Sequence, residues 1–527
     1  MNRNRLVMAV VGWVAVGVTA AAGGAAPTPF EGPAAPASQN PIDKLVFARL
    51  NKAGIEPARL CSDTVFVRRV YLDVIGTLPT AQEAGDFLRS KAPDKRGLLI
   101  DTLLAREEFA DYWAMKWSDL LRVKAEFPIN LWPNAAQAYH RWIRASVRDN
   151  VPYDQFVRAM LTESGSNFRV PPVNFYRALQ SKEPEALAKA VALTFMGTRA
   201  ETWPKDRLAG MAAFFAHLGF KGTAEWKEEI VLFDPDADPK ATGAPKPVFP
   251  DGRAARIPPG TDPREVFADW LIAPENPWFV RNIVNRAWSW LVGRGIIHEP
   301  DDIRPDNPPS NPDLLAWLEK DLVASGYDLK HLYRHILTST TYQLACVPQT
   351  DDPRGEALFA FYSVRRLEAE VLIDALCQIT GTTEEYTSMI PEPYTFVPET
   401  RRAIALPDGS ITSSFLELFG RPPRDTGLAS ERNNHPTAAQ RLHLLNSSHV
   451  RDKIENGPNL RAIVRARQDP AKIVETLYLT ILSRPPTPQE AAAIRDYVGP
   501  GRKAKGREAL DDLTWALINS AEFLYRH

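Results

Sequence analysis

Two stretches of the sequence concentrate side chains that can hold an anion or move a proton. In the first, 279–297, Val280, Ile283, Val284, Ala287 and Leu291 recur at helical spacing. Arg281, Asn282, Asn285, Arg286 and Ser289 gather on the other side. A guanidinium is a planar fork matched to carboxylate, sulfate or phosphate, so Arg281, Asn285 and Arg286 are candidates for binding an anionic or glycan ligand. The same face would equally serve as an internal network holding the loop that follows. That loop, 298–313, offers Asp301, Asp302 and Asp306 as oxygen donors of the kind calcium takes. Its spacing is not that of an EF-hand, and its prolines already explain it as a rigid connection, so no metal or cofactor is expected there. In the second stretch Arg365, Arg366 and Glu368, and further on Glu431 and Arg432, are dense in opposite charges. Such clusters order a ligand site or tie domains together. His331 and His335 stand four apart on a predicted helix and could share a metal. The glutamate of a His-Glu-x-x-His motif is missing, and the pair is expected to be solvated or capping.

The balance of Lys plus Arg (63) against Asp plus Glu (64) gives no basic excess for nucleic acid. No nucleophile elbow, phosphate loop or dinucleotide fingerprint occurs. If the chain is an enzyme, its acid and base come from Asp301, Asp302, Glu368 or Glu431, acting on an anionic polysaccharide as a hydrolase or lyase. Cys61, Cys346 and Cys377 lack zinc spacing and leave one disulfide possible, with Cys377 expected to be buried on a helix.

The elements that must position these groups are helices. Period-2 alternation is nearly absent, so the fold class is mainly α, a multi-helical two-domain protein with a less regular stretch near 381–432 that has room for short strands. One unit occurs twice. Residues 70–84 and 477–491 share 7 of 15 positions at a constant offset of 407. Each copy is an apolar helical stripe, a Pro break, and a Thr-x-x-Glu capping box that opens a second helix. Both copies later reach a Glu-Phe pair, Glu108-Phe109 and Glu522-Phe523. These are caps, breakers and core positions, so the repeat is a folding device. Residues 1–22 read as a signal peptide: Arg3 and Arg5, then an apolar run ending in small residues. An uncleaved anchor is the competing reading, and no later run is long enough to span a bilayer. The organisation is then a flexible linker 23–40, a helical domain 41–233, a Pro-rich linker 234–261 and a second helical domain 262–527.

The stretch from Phe66 to Thr80 resembles the hallmark of domain of unknown function 1549, a planctomycete cytochrome-like domain. Residues 282–288, 307–312, 339–342, 365–370, 419–424 and 442–446 are similar to its partner, domain of unknown function 1553. The resemblance covers nearly all of the chain after the signal segment and implies an exported planctomycete protein, periplasmic, envelope-associated or secreted, with no established activity. One departure matters. Many relatives carry Cys-x-x-Cys-His where this chain has Phe195 to Pro204 without cysteine or histidine, so haem is not carried over. The expected function is a binding or assembly module for an envelope glycan or protein partner.

Overall fold

The computed structural model describes residues 29–38, 40–236, 246–466, 469–498 and 506–527. The expected signal peptide and the start of its linker lie outside them. Helices begin where the sequence supplies caps. Thr80 and Glu83 form a reciprocal capping box, as do Thr437 and Gln440, while Asp262 and Asn311 cap helices that open on proline. Counting helices of eight residues or more, the first half contains α1 (Pro41–Ala53), α2 (Asp63–Val74), α3 (Ala81–Arg89), α4 (Lys95–Leu104), α5 (Glu107–Leu120), α6 (Pro133–Arg148), α7 (Tyr153–Thr162), α8 (Pro184–Val191) and α9 (Lys205–Ala212). The second half contains α10 (Pro263–Ile272), α11 (Phe279–Val292), α12 (Pro312–Ala324), α13 (Leu329–Thr338), α14 (Ala369–Thr380), α15 (Ala438–Asn446), α16 (Ser448–Asn456), α17 (Pro458–Arg465), α18 (Pro470–Leu482), α19 (Pro488–Val498) and α20 (Gly506–Ile518). Helix makes up 54% and strand 5%, so the protein is mainly α.

The strands are short. β1 (Gly165–Ser166), β2 (Leu218–Gly222) and β3 (Glu229–Phe233) form an antiparallel sheet in the order β1-β3-β2, with Phe220 opposite Val231. β4 (Arg365–Arg366) pairs with β5 (Tyr525–Arg526). The β2–β3 hairpin falls where the sequence suggests more helix, because Gly219 and Gly222 remove the side chains that would have shown alternation. In 381–432 the described ladder is a single bridge, Thr387 to Thr412.

The two repeat copies become α2–α3 and α18–α19, and α18 packs on α3. Arg68 of α2 is buried and donates to the carbonyls of Ile481 and Phe523. The copies also rebuild one motif. Arg106 bridges the capping Glu83 (2.8 Å) and Glu108 (2.5 Å) over the Tyr71 ring. Arg484 bridges Glu490 (2.8 Å) and Glu522 (2.7 Å) over Tyr478. The tyrosines and capping glutamates match at the repeat offset, whereas the arginines come from unrelated positions.

Buried apolar side chains of both halves form one continuous core. Its centre is α5, whose Trp113 stacks on Tyr333 of α13 (4.3 Å between centroids) and meets Trp290 of α11 edge-on. The described parts of both expected linkers are tied down. Ala37 accepts from Thr340 Oγ1, and Phe249 stacks between Phe214 and Trp270. All three thiols are free, with Cys61 buried and Cys346 and Cys377 half-buried. Burial pushes the Cys377 thiol up to about 11 despite the neighbouring Lys453. Among the described residues no helix is long and apolar enough to cross a membrane.

Candidate functional site

The polar face of α11 points inward. Asn285 is fully buried and clamps one residue, donating to the Ile297 carbonyl (2.9 Å) and accepting from its amide (2.8 Å). Arg286 is buried too. Its guanidinium meets Asp301 (2.7 Å), Asn282 Oδ1 (2.9 Å) and the Leu193 carbonyl (3.0 Å). Asp301 in turn accepts from the amide of Ala429 (2.6 Å). Arg281 stands apart at the surface, paired with Glu319 of α12 (2.7 Å). The three aspartates weighed as cation ligands each face an arginine: Asp301 faces Arg286, while Asp302 and Asp306 flank Arg304 at 3.1 and 3.0 Å.

The second group closes into a buried ionic chain. Glu368 holds Lys116 of α5 (2.5 Å) and Arg526 of β5, and Arg526 reaches Asp73 of α2 (3.1 Å). Alongside, Asp119 of α5 binds Arg424 (3.0 Å) and Arg432 (2.7 Å), and Arg432 passes to Glu370 (2.7 Å), which also faces Arg421 (3.5 Å). Burial opposes the charge on Glu370, but Arg432 outweighs it and holds the carboxyl down to about 2. For Glu368 burial is likewise outweighed, by Arg526 and Lys116, and its pKa is held far below the usual range. Arg365 caps the end of α11 through the carbonyls of Trp290 and Leu291, and Arg366 donates to those of Phe419 and Asn434. Glu431 lies outside the chain of charges and accepts from the amides of Asp425 and Thr426. The fold thus places Glu368 and Arg432 in neighbouring ionic chains and leaves Arg281 and Glu431 elsewhere.

Among the described residues, two other accessible regions bear on function, and neither was singled out by sequence motifs. The first is a cleft of about 420 Å³ between the halves, lined by Glu83, Arg106, Asp374, Glu384 and Arg402 among others. Asp374 accepts from the amides of Ala403 (2.7 Å) and Ile404 (3.1 Å). Burial lifts its pKa to about 6 against the pull of Arg402 and those amides.

The second is an aromatic shelf built from three distant segments. Half-buried Trp132, at the end of the turn after α5, lies 6.3 Å from Trp226 at the β2–β3 tip and 5.4 Å from Tyr394 of the irregular stretch. Trp226 is 67% exposed and Tyr394 52%. Lys227 sets its ammonium over both indoles, at 5.6 and 5.2 Å. Phe127 (80% exposed) and Met389 (87%) stand on the two segments that carry Trp132 and Tyr394, which are joined where Glu126 accepts from the Met389 amide at 3.0 Å. The frame beneath is firm: buried Asp408 accepts from the Ala125 amide, and Ser410 from that of Glu126. The one signal in the sequence is that Phe127, Trp132 and Tyr394 stand beside prolines, where no helical stripe requires them.

Helices on both halves, buried charges joining them and an irregular stretch folded over α5 describe a protein of two successive modules. Residues 41–205 match a family described as a protein of unknown function, DUF1549, and residues 263–498 match a second such family, DUF1553. The chain combines these two domains in that order. No curated protein and no solved structure matches it. Residues 195–204, where the resemblance places a haem-attachment motif in many relatives, contain neither cysteine nor histidine.

Proposed function

We propose that the protein is an exported binding module of the cell envelope and that its aromatic shelf takes a carbohydrate chain, an anionic one by preference. The observation that carries this reading is the trio Trp132, Trp226 and Tyr394, with half-buried Trp132 on a hydrogen-bonded frame and the other two rings open to solvent. Exposed contiguous apolar surface marks an interaction site. The negative face of an aromatic ring suits the polarised C–H face of a sugar ring, and Tyr and Trp add polar tips. Lys227 between the indoles supplies a cation for sulfate or uronate groups. The Arg281, Asn285 and Arg286 face, by contrast, is largely spent on internal partners.

The test is retention of the purified chain by a panel of sulfated, uronate-containing and neutral polysaccharides, followed by tryptophan fluorescence. Trp226→Ala and Tyr394→Ala should each weaken binding at least about tenfold, the loss of about 1.4 kcal/mol, with circular dichroism unchanged. Lys227→Ala should selectively weaken the anionic ligands. No retention on any polysaccharide, with capture of one envelope protein that Trp226→Ala abolishes, would replace the glycan with a protein partner.

A second reading, hydrolysis of an anionic polysaccharide, is favoured by Asp374, whose pKa of about 6 at the edge of the cleft suits a general acid. Turnover abolished by Asp374→Asn and merely raised in KM by Trp226→Ala would establish it.

A further inference from the structure

We propose that Asp321, His331 and His335 form a binding site for a divalent first-row transition ion, with zinc as its reference occupant. α12 and α13 are joined by the short turn 325–328 and pack against each other. Asp321 projects from α12 between two rings of α13 that are one helical turn apart. A single carboxylate oxygen, Asp321 Oδ2, lies 3.1 Å from His331 Nε2 and 3.0 Å from His335 Nδ1. The three donor atoms all fall within 4.8 Å of one another. Metal bonds of about 2.0–2.1 Å place neighbouring donors about 3.0 Å apart at octahedral angles and about 3.3 Å apart at tetrahedral ones. Both carboxylate–imidazole separations therefore match those of two ligands on one ion, and the two imidazole donors lie within 4.8 Å of each other.

The ligands are also positioned. Asp328 caps α13 by accepting from the His331 amide (2.9 Å), and Asn150 braces that cap by donating to the same carboxylate (2.8 Å). Trp317, one turn before Asp321 on α12, lies nearly parallel to the His335 ring, at 20° and 6.0 Å. All three ligands are half-buried, so one side of the site faces water and leaves positions for solvent or a further ligand. Two imidazoles and one carboxylate favour zinc, iron(II), cobalt or nickel over calcium and magnesium, which take oxygen donors. The Glu missing from the His-x-x-x-His segment is beside the point for binding, because the third donor comes from the preceding helix.

The full chain, stripped with a chelator, should take up one zinc per molecule in competition with a chromogenic chelator. Cobalt(II) should give visible absorption bands, and zinc should raise Tm. His335→Gln and Asp321→Asn should each weaken zinc binding by well over tenfold, since even outer partners of a metal site cost 10–100-fold. Both variants should lose the Tm response while keeping the wild-type dichroism. His443→Gln, in the protein's other close histidine pair, should change nothing. Zinc affinity equal in wild type, His335→Gln and Asp321→Asn overturns the proposal and leaves a hydrogen-bonded His-Asp-His cluster. Binding lost in His443→Gln instead also overturns it, by moving the ion to the His443, His449 and Glu384 group.

Discussion

Glu370 shows what the buried charges do at the scale of one residue. Its carboxylate has no exposure and faces Arg432 and Arg421. Such a pair adds little over an apolar one, yet breaking it leaves an unmatched buried charge. Glu370→Gln should lower stability near neutral pH by about 3 kcal/mol. Its pKa is held to about 2 against 4.5 in the unfolded chain. Its contribution is therefore complete above about 4.5 and is lost as pH falls toward 2. His140 and His527 act in the same direction. Burial keeps them neutral, with pKa about 3 and about 4, while the unfolded chain binds protons from 6.5 downward. Asp374 opposes them: its contribution grows as pH falls from about 6 to 3.8 and stays complete below that. Urea titrations across pH should show stability falling most steeply below about 4.5, with the gap between wild type and Glu370→Gln closing there. A gap that stays constant down to the acid limit would remove Glu370 from the account. The density of charge around 365–370 and 421–432 is visible in the sequence. Which carboxylate meets which arginine is not, because Asp119 and Arg432 are 313 positions apart.

At the scale of elements the repeat is the most readable feature, since capping boxes and apolar stripes are local. The Thr80–Glu83 box and the Thr487–Glu490 contacts form as their spacing requires. The arginine that links each capping glutamate to the later Glu-Phe pair could not be aligned: Arg106 precedes its own Glu108, whereas Arg484 lies in the break before α19. Arg484 is the more enclosed of the two, with 10% of its side chain exposed against 29% for Arg106. Arg484→Ala should cost about 2–3 kcal/mol, as charged hydrogen bonds away from water do. Arg106→Ala should cost about 1 kcal/mol, because solvent screens it. Urea midpoints at unchanged slope measure both, and a larger loss for Arg106→Ala would sink the burial argument. The β2–β3 hairpin was hidden for an equally local reason: glycines occupy two of the five β2 positions.

For the whole molecule, the two modules share their interior. Asp73, Lys116 and Asp119 belong to the first half and meet Arg526, Glu368 and Arg432 of the second. Val123 accepts from the Gly409 amide, and α18 lies on α3. A fragment of residues 263–527 would expose these arginines and the apolar surface beneath them. It should fail to give a cooperative thermal transition, while the full chain unfolds in one step. A soluble, cooperatively folding fragment would show that the modules are independent.

The sequence by itself determined the helical class, the caps, the repeat and the two modules. Each of these depends on residues within a few turns of one another, where periodicity and local hydrogen bonding are decisive. The tertiary structure alone decided that the polar face of α11 turns inward, that the charged clusters satisfy one another, and that Trp132, Trp226 and Tyr394 meet at the surface. Those outcomes rest on which groups remain beside water after distant segments have packed, and no spacing along the chain encodes that choice.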